Sequence, residues 1–235
     1  MIVLLVSGLL LQACYVGSTN VVRGDGQVLA KTHRLENFRH IDIQGMFDIQ
    51  VSRGDDTSVV LETDENLHEL TSIEVRDNTL FIWTEKDVVI RPTKMELKIT
   101  FAQLDEIHIG GACKLHAAET LIADRLQLQV SGAADIDLDL NVTDLITSIS
   151  GAANIQLAGI ASSHHISLSG ASNMRAESLR TEQTNIRVSG AGSAHVFATE
   201  KLHASLSGVG NIRYYGNPRQ VTTDKSGLGS IRSAN

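Results

Sequence analysis

Aromatic side chains are scarce, at 4% of the 235 residues. Rings bury more area than any other side chain, so a core must be filled here by the aliphatic and small residues within the 42% hydrophobic content. Only two cysteines occur, Cys14 and Cys113, which excludes a framework of several disulfides. Only two prolines occur, Pro92 and Pro218. Proline cannot donate to a ladder hydrogen bond, so the long proline-free stretch between them is open to continuous sheet. Basic charge is also short: 20 Lys and Arg face 27 Asp and Glu, a net charge of −7. No basic stripe stands out in the sequence, and nucleic acid is excluded as an expected partner. After residue 14 no apolar run approaches the roughly 20 residues of a membrane-spanning helix.

The N-terminus is the exception. Met1–Ala13 is almost wholly apolar and ends Leu11-Gln12-Ala13-Cys14. An aliphatic residue, a variable one, a small one and then cysteine resembles a bacterial lipobox, which implies lipid on the sulfur and amine of Cys14. The run has the length of a signal h-region and is too short to cross a bilayer. Gln12 in place of a small residue, and the lack of Lys or Arg before the run, depart from that pattern. Residues 1–14 are expected to be a signal peptide with Cys14 as the lipidation site. The lipid makes a membrane the partner, in the cell envelope. Tyr15 rather than Asp after the cysteine points to the outer membrane by resemblance to enterobacterial sorting. With Cys14 lipidated, Cys113 is unpaired and reads as a small core residue. Residues 15–34 are polar and read as a tether with a first strand.

The second half is repetitive. Val130–Ile136 reads Val-Ser-Gly-Ala-Ala-Asp-Ile and Ile149–Ile155 reads Ile-Ser-Gly-Ala-Ala-Asn-Ile. Related phrases centre on Gly111, Gly132, Gly151, Gly170, Gly190, Gly208 and Gly227, at steps of 21, 19, 19, 20, 18 and 19. A fixed period of this length marks a repeat architecture in which each unit buries its apolar face against the next. Around each glycine the apolar residues alternate, as in Leu126, Leu128 and Val130 before Gly132 and Ile136, Leu138 and Leu140 after it. Period two excludes a helical repeat, and the Leu-x-x-Leu-x-Leu spacing of leucine-rich repeats is missing. The prediction is an all-β solenoid of parallel strands in ~19-residue coils, about 4.8 Å per coil. The seven glycines are assigned to structural turns through the positive φ that glycine tolerates. Asp135, Asn154, Asn173, Ser193, Asn211 and Ser230 are expected to stack as one polar ladder, and the serine before each glycine as a second.

Residues 35–235 read as a single domain, with a capping part over 35–103 and repeat coils over 104–235. In the cap, Asp64 is placed at the N-cap of a short helix. Asp77-Asn78 is the two-residue turn of a hairpin. Gly45–Ile49 mimics the repeat phrase and is a candidate early coil.

The repeated Ser-Gly-Ala-x-Asn/Asp-Ile phrase resembles the head GIN domain of auto-transporter adhesins. So do Phe38 with Ile41 and Ile43, Val75-x-Asp77-Asn78-x-Leu80-x-Ile82, and Tyr215-Gly216-Asn217-Pro218. The resemblance runs over roughly residues 36–232. It implies a right-handed parallel β-helix on a cell-envelope protein, an adhesin role and no catalytic motif.

The same scaffold carries residues with possible chemistry. Nine histidines are present, but His164 and His165 are neighbours on a strand and face opposite ways. Neither His108 with His116 nor His195 with His203 has zinc-like spacing, and these side chains read as solvent-facing. Asp135, Asp137 and Asp139, with Asp144 nearby, could approach calcium, or could act as the paired carboxylates of a polysaccharide-acting enzyme. The outward face of a strand explains them equally. No catalytic residues, metal or cofactor are assigned. The expected function is a non-catalytic surface that meets a glycan or protein ligand. A polysaccharide-acting enzyme and a self-associating structural protein are the alternatives. Specificity is expected in the decoration that varies between copies: Lys114, Asp135–Asp139, Arg175 and Arg213.

Overall fold

The computed structural model describes residues 20–234, and strands fill most of them. Leu11–Cys14, and with it the lipidation reading, lies outside the described residues. The predicted solenoid of stacked parallel strands is what the chain forms. Ala133–Ile149 pairs in parallel with Ala152–Leu168, and that strand pairs with Ala171–Val188. Register is kept from copy to copy: Ile149 lies opposite Leu168, and Leu168 opposite Val188. The core is therefore a set of rows along the coil axis. One runs Ile43, Ile109, Val130, Ile149, Leu168, Val188 and Leu206, all buried.

The chain turns without breaking its ladders. Where two consecutive residues face outward, as at Thr143-Asp144 and Glu182-Gln183, the alternation slips by one and the strand bends. The 20-residue step between Gly170 and Gly190 is absorbed by a bulge: Gln156 pairs with Arg175, but Ala158 pairs with Ser178.

The corner glycines serve another end than the one expected. Among Gly111, Gly132, Gly151, Gly170, Gly190, Gly208 and Gly227, none adopts positive φ. Instead the preceding coil passes too close for any side chain. A Cβ on Gly151 would meet the carbonyl oxygen of Gly132, and one on Gly170 that of Gly151, far inside the 3.0 Å that real Cβ contacts respect. The same holds from Gly111 to Gly227. Those carbonyls cannot move away. Gly132 O accepts from Ala152 N at 3.0 Å and Gly151 O from Ala171 N at 3.1 Å. The glycines form a backbone stack that hydrogen bonds hold closed.

The first coil starts earlier than residue 104. His40–Gln44 and Met46–Arg53 flank Gly45, and their strands pair in parallel with Glu106–Ile109 and Ala112–Ala117. The early-coil reading of Gly45–Ile49 therefore describes a full rung. The cap proper is mixed. Thr79–Thr84 and Met95–Phe101 continue the parallel stack, and Ser58–Asp64 and Thr71–Arg76 pair antiparallel to them. Asp77 and Asn78 have φ of 47° and 64°, which a two-residue turn of the primed type requires. Residues 20–34, expected as tether and first strand, hold two strands. Asn20–Arg23 pairs with Val88–Arg91, and Val28–Arg34 pairs with Ser58–Asp64.

Asp64 precedes the short 3-10 helix Glu65–Leu70 but makes no side-chain cap bond. Its buried carboxylate accepts from Thr93 N at 2.7 Å and Gly26 N at 2.8 Å, tying the N-terminal turn to the loop before Met95. Burial pushes this carboxyl up, but the hydrogen bonds from Thr93 and Gly26 outweigh it and hold the group below its ordinary value. At the opposite end the inward row closes on Lys225, opposite Leu206, and its Nζ donates to Gly229 O at 2.9 Å. A charged residue at an inward position of the last coil blunts an exposed sheet edge against further stacking.

Two histidines depart from the solvent-facing expectation: His68 on the 3-10 helix, buried with its Nε2 2.9 Å from Leu29 O, and His164. His164 lies in an inward row between Leu145 and Thr184, is 1% exposed, and meets Thr147 Oγ1 at 3.0 Å. Burial, helped by the neighbouring His165, pushes its imidazole from 6.5 down to about 3. An unfolded chain takes up that proton near 6.5 and the folded chain does not. The stability of the neutral form is thus whole above 6.5 and falls as pH drops toward 3, by up to ~1.4 kcal/mol per pH unit.

Two outcomes follow from this packing. Gly151→Ala should destabilise the fold by about 3 kcal/mol or more in urea unfolding, whereas Ala152→Ser, one residue on and outward-facing, should stay within about 0.5 kcal/mol. Between about pH 6.5 and about pH 4, Thr147→Val/His164→Leu should lose about 3 kcal/mol less stability than the parent chain. Equal pH slopes would contradict a neutral buried His164.

Candidate binding face

The strand that follows each corner presents alternate positions outward, and constant register turns them into three stripes. The stripe nearest the corner is small and apolar: Met46, Ala112, Ala133, Ala152, Ala171 and Ala191. Two residues on, the second runs Lys114, Asp135, Asn154, Asn173, Ser193, Asn211 and Ser230. The third runs His116, Asp137, Gln156, Arg175, His195, Arg213 and Arg232.

The polar ladder of the second stripe is real, but it lies along a strand rather than at a corner, and it bonds in pairs. Asn154 Nδ2 donates to Asp135 Oδ1 at 2.8 Å, Ser193 Oγ to Asn173 Oδ1 at 2.8 Å and Ser230 Oγ to Asn211 Oδ1 at 2.7 Å. Two of the corner serines bond to the backbone of the preceding coil: Ser169 Oγ donates to Ile149 O at 3.2 Å and Ser150 Oγ to Val130 O at 3.4 Å.

A groove of about 790 Å³ runs between the first two stripes. Its floor is alanine, and Met46, Pro92 and Met95 close its cap end. Ser172 lines it, buried to 5% exposure, with an Oγ that has no hydrogen-bond partner among the described residues. A second hollow of about 370 Å³ adjoins it, bordered by Lys114, His116, Asp137, Gln156 and Arg175. The contribution of Pro92 and Met95 escapes sequence reading because it depends on how the cap folds back.

The decoration named from the sequence converges here. Lys114, Asp135, Asp137, Arg175 and Arg213 share one face, while Asp139 lies further along its strand, opposite Ala158. The expectation of no basic stripe is corrected: Arg175, His195, Arg213 and Arg232 occupy successive rungs although they are spread along the chain.

The other candidate chemistry disperses. Among the described residues no group of three His, Cys, Asp or Glu converges on a metal site. Asp135 and Asp144 are engaged by Asn154 and Ser163. Histidines meet carboxylates instead: His108 Nδ1 lies 3.0 Å from Asp42, His116 Nδ1 3.6 Å from Asp48, His195 Nδ1 3.7 Å from Glu177 and His203 Nε2 3.8 Å from Asp224. Burial pushes the Cys113 thiol up to about 11, and its Sγ faces Gly45 O at 3.7 Å. A thiol held protonated in this way is a packing residue, not a nucleophile.

Calcium in excess should therefore leave Tm unchanged in thermal scans, and Asp135→Asn/Asp137→Asn should not alter that. A calcium-dependent rise in Tm that the double substitution removes would restore the cation site.

Solved structures share this architecture. A crystal structure from Bacteroides fragilis, described as a "putative adhesin", is 26% identical over 91% of this chain and all of its own, with a TM-score of 0.88. One from Parabacteroides distasonis with the same description is 26% identical over 92% of this chain and all of its own, with a TM-score of 0.70. A "putative lipid binding protein" from Parabacteroides distasonis is 19% identical over 92% of this chain and all of its own; its TM-score of 0.77 speaks for the fold alone. No curated protein matches the chain significantly. The family model described as "Putative auto-transporter adhesin, head GIN domain" matches residues 37–218, and the chain belongs to that family.

Proposed function

We propose that this chain is a non-catalytic recognition module of the cell envelope, anchored through lipid on Cys14, whose striped face meets a glycan or protein on another surface. The observation that carries the reading is the groove beside the Asp135, Asn154 and Asn173 part of the polar ladder, which Ser193, Asn211 and Ser230 extend beyond it. Such a face offers repeated hydrogen-bond donors and acceptors next to small apolar contacts, at one set per coil. Extended solenoid faces of this kind suit long ligands better than compact ones. Membership of an adhesin family and the adhesin descriptions of its solved relatives favour the same reading. The Lys225 end cap disfavours end-to-end stacking of copies as an alternative use of the solenoid.

Two measurements test it. Cells supplied with labelled palmitate should label the parent chain and not Cys14→Ser; equal labelling of both would contradict the anchor. The full chain in neutral detergent, screened against glycan arrays and cell-surface extracts, should bind at least one ligand. Asn154→Ala/Asn173→Ala should weaken that binding about ten-fold, the loss of two net hydrogen bonds. Binding to none would sink the recognition reading.

A further inference from the structure

The third stripe ends in a row of basic side chains, three arginines and a histidine. Arg175, His195, Arg213 and Arg232 stand on four successive rungs. At ~4.8 Å per rung, the three guanidinium positions span roughly 14 Å along the coil axis. Arg213 lies directly opposite Arg232, and like charges in that relation destabilise a sheet. Among the described residues, four cations elsewhere form ion pairs, Arg39 with Asp105, Arg76 with Glu74, Lys94 with Glu62 and Glu96, and Arg219 with Glu200; what sets the row apart is that its unpaired arginines are aligned on one stripe. Arg175, Arg213 and Arg232 are exposed and make no ion pair among the described residues. Glu177, on the bulge, faces His195. A protein with a net charge of −7 thus keeps three exposed guanidinium groups without ion-pair partners on one sheet face.

We propose that this row binds a linear polyanionic glycan lying along the coil axis, with its carboxylates in the guanidinium forks. Three features fit that occupant. An extended uronate chain turns alternate carboxylates to opposite sides, so those on one side recur about every second rung, the step from Arg175 to Arg213. Guanidinium holds carboxylate by two parallel hydrogen bonds, which a point charge cannot do. The neighbouring stripe supplies Asn173, Ser193, Asn211 and Ser230 to sugar hydroxyls. An anionic bilayer fits less well, because it would cover the whole face, Asp135 and Asp137 included, whereas a single chain confined to the rungs from Arg175 to Arg232 lies beyond them. The inference rests on the recognition reading above and gives it a ligand class.

The test uses the full chain in neutral detergent, with polygalacturonate and its methyl-esterified form as probes. The acid should bind, with affinity that falls as salt rises, and the ester should not. Arg175→Gln/Arg213→Gln/Arg232→Gln should weaken binding about ten-fold or more. Arg187→Gln, on the face before the corner, should leave it unchanged, and the triple variant should keep the parent Tm or exceed it. Equal binding of the ester, or full binding by the triple variant, overturns the proposal. Binding of neutral glycans or proteins without polygalacturonate overturns the ligand class and leaves the recognition reading standing; binding of nothing removes both. Row-dependent binding to phosphatidylglycerol in mixed micelles, without polygalacturonate binding, overturns it in favour of a lipid headgroup.

Discussion

Every coil of this solenoid is held to the one before it at a corner where no side chain fits. The carbonyl of each corner glycine occupies the space that a Cβ on the next corner glycine would take, and it is fixed there by the amide that follows. Close approach therefore pins coil to coil at one point per turn. Once that point is pinned, period-two alternation fixes which residues are inward and which outward over the rest of the turn. A register slip would need a bulky residue at a corner or an apolar residue turned to water, and both are costly.

The division of labour follows from that pinning. Inward rows carry aliphatic residues and can vary in size as the stack requires. Next to the corner the inward row shrinks from Phe47 through Cys113, Ala134, Ala153 and Ser172 to Gly192, Gly210 and Gly229. At the narrow end a second glycine stack replaces side chains, with Gly210 and Gly229 at positive φ. Outward residues have no such constraint, so charge and hydrogen-bonding groups can be set rung by rung. The acidic middle of the face at Asp135 and Asp137 and its cationic end at Arg213 and Arg232 are two settings on one frame.

Much of this was legible in the sequence because the governing signals are local. Alternation and a fixed glycine period give parallel coils, and Asp77-Asn78 gives the hairpin. What was not legible depends on neighbours far along the chain. Glycine at a corner looks the same whether it serves φ or close approach, and only the adjacent coil decides. Asp64 has the sequence position of a helix cap, yet Thr93 and Gly26 draw its carboxylate elsewhere. His164 sits in a polar run, but the bend at Ser162-Ser163 shifts the alternation and turns it inward. The cationic row is invisible to a linear scan because its members are one coil apart.

The central claim is that hydrogen-bonded close approach at the glycine corners holds the stack. Amide hydrogen exchange measures it directly. Ala133, Ala152, Ala171 and Ala191 are exposed residues next to a turn, and by exposure alone their amides would exchange quickly. Their bonds to the glycine carbonyls of the preceding coil predict protection equal to that of the buried rows, such as Ile149 and Leu168. Exchange of these four amides as fast as that of Asp55 or Asp56 in the exposed loop before Ser58 would contradict the account.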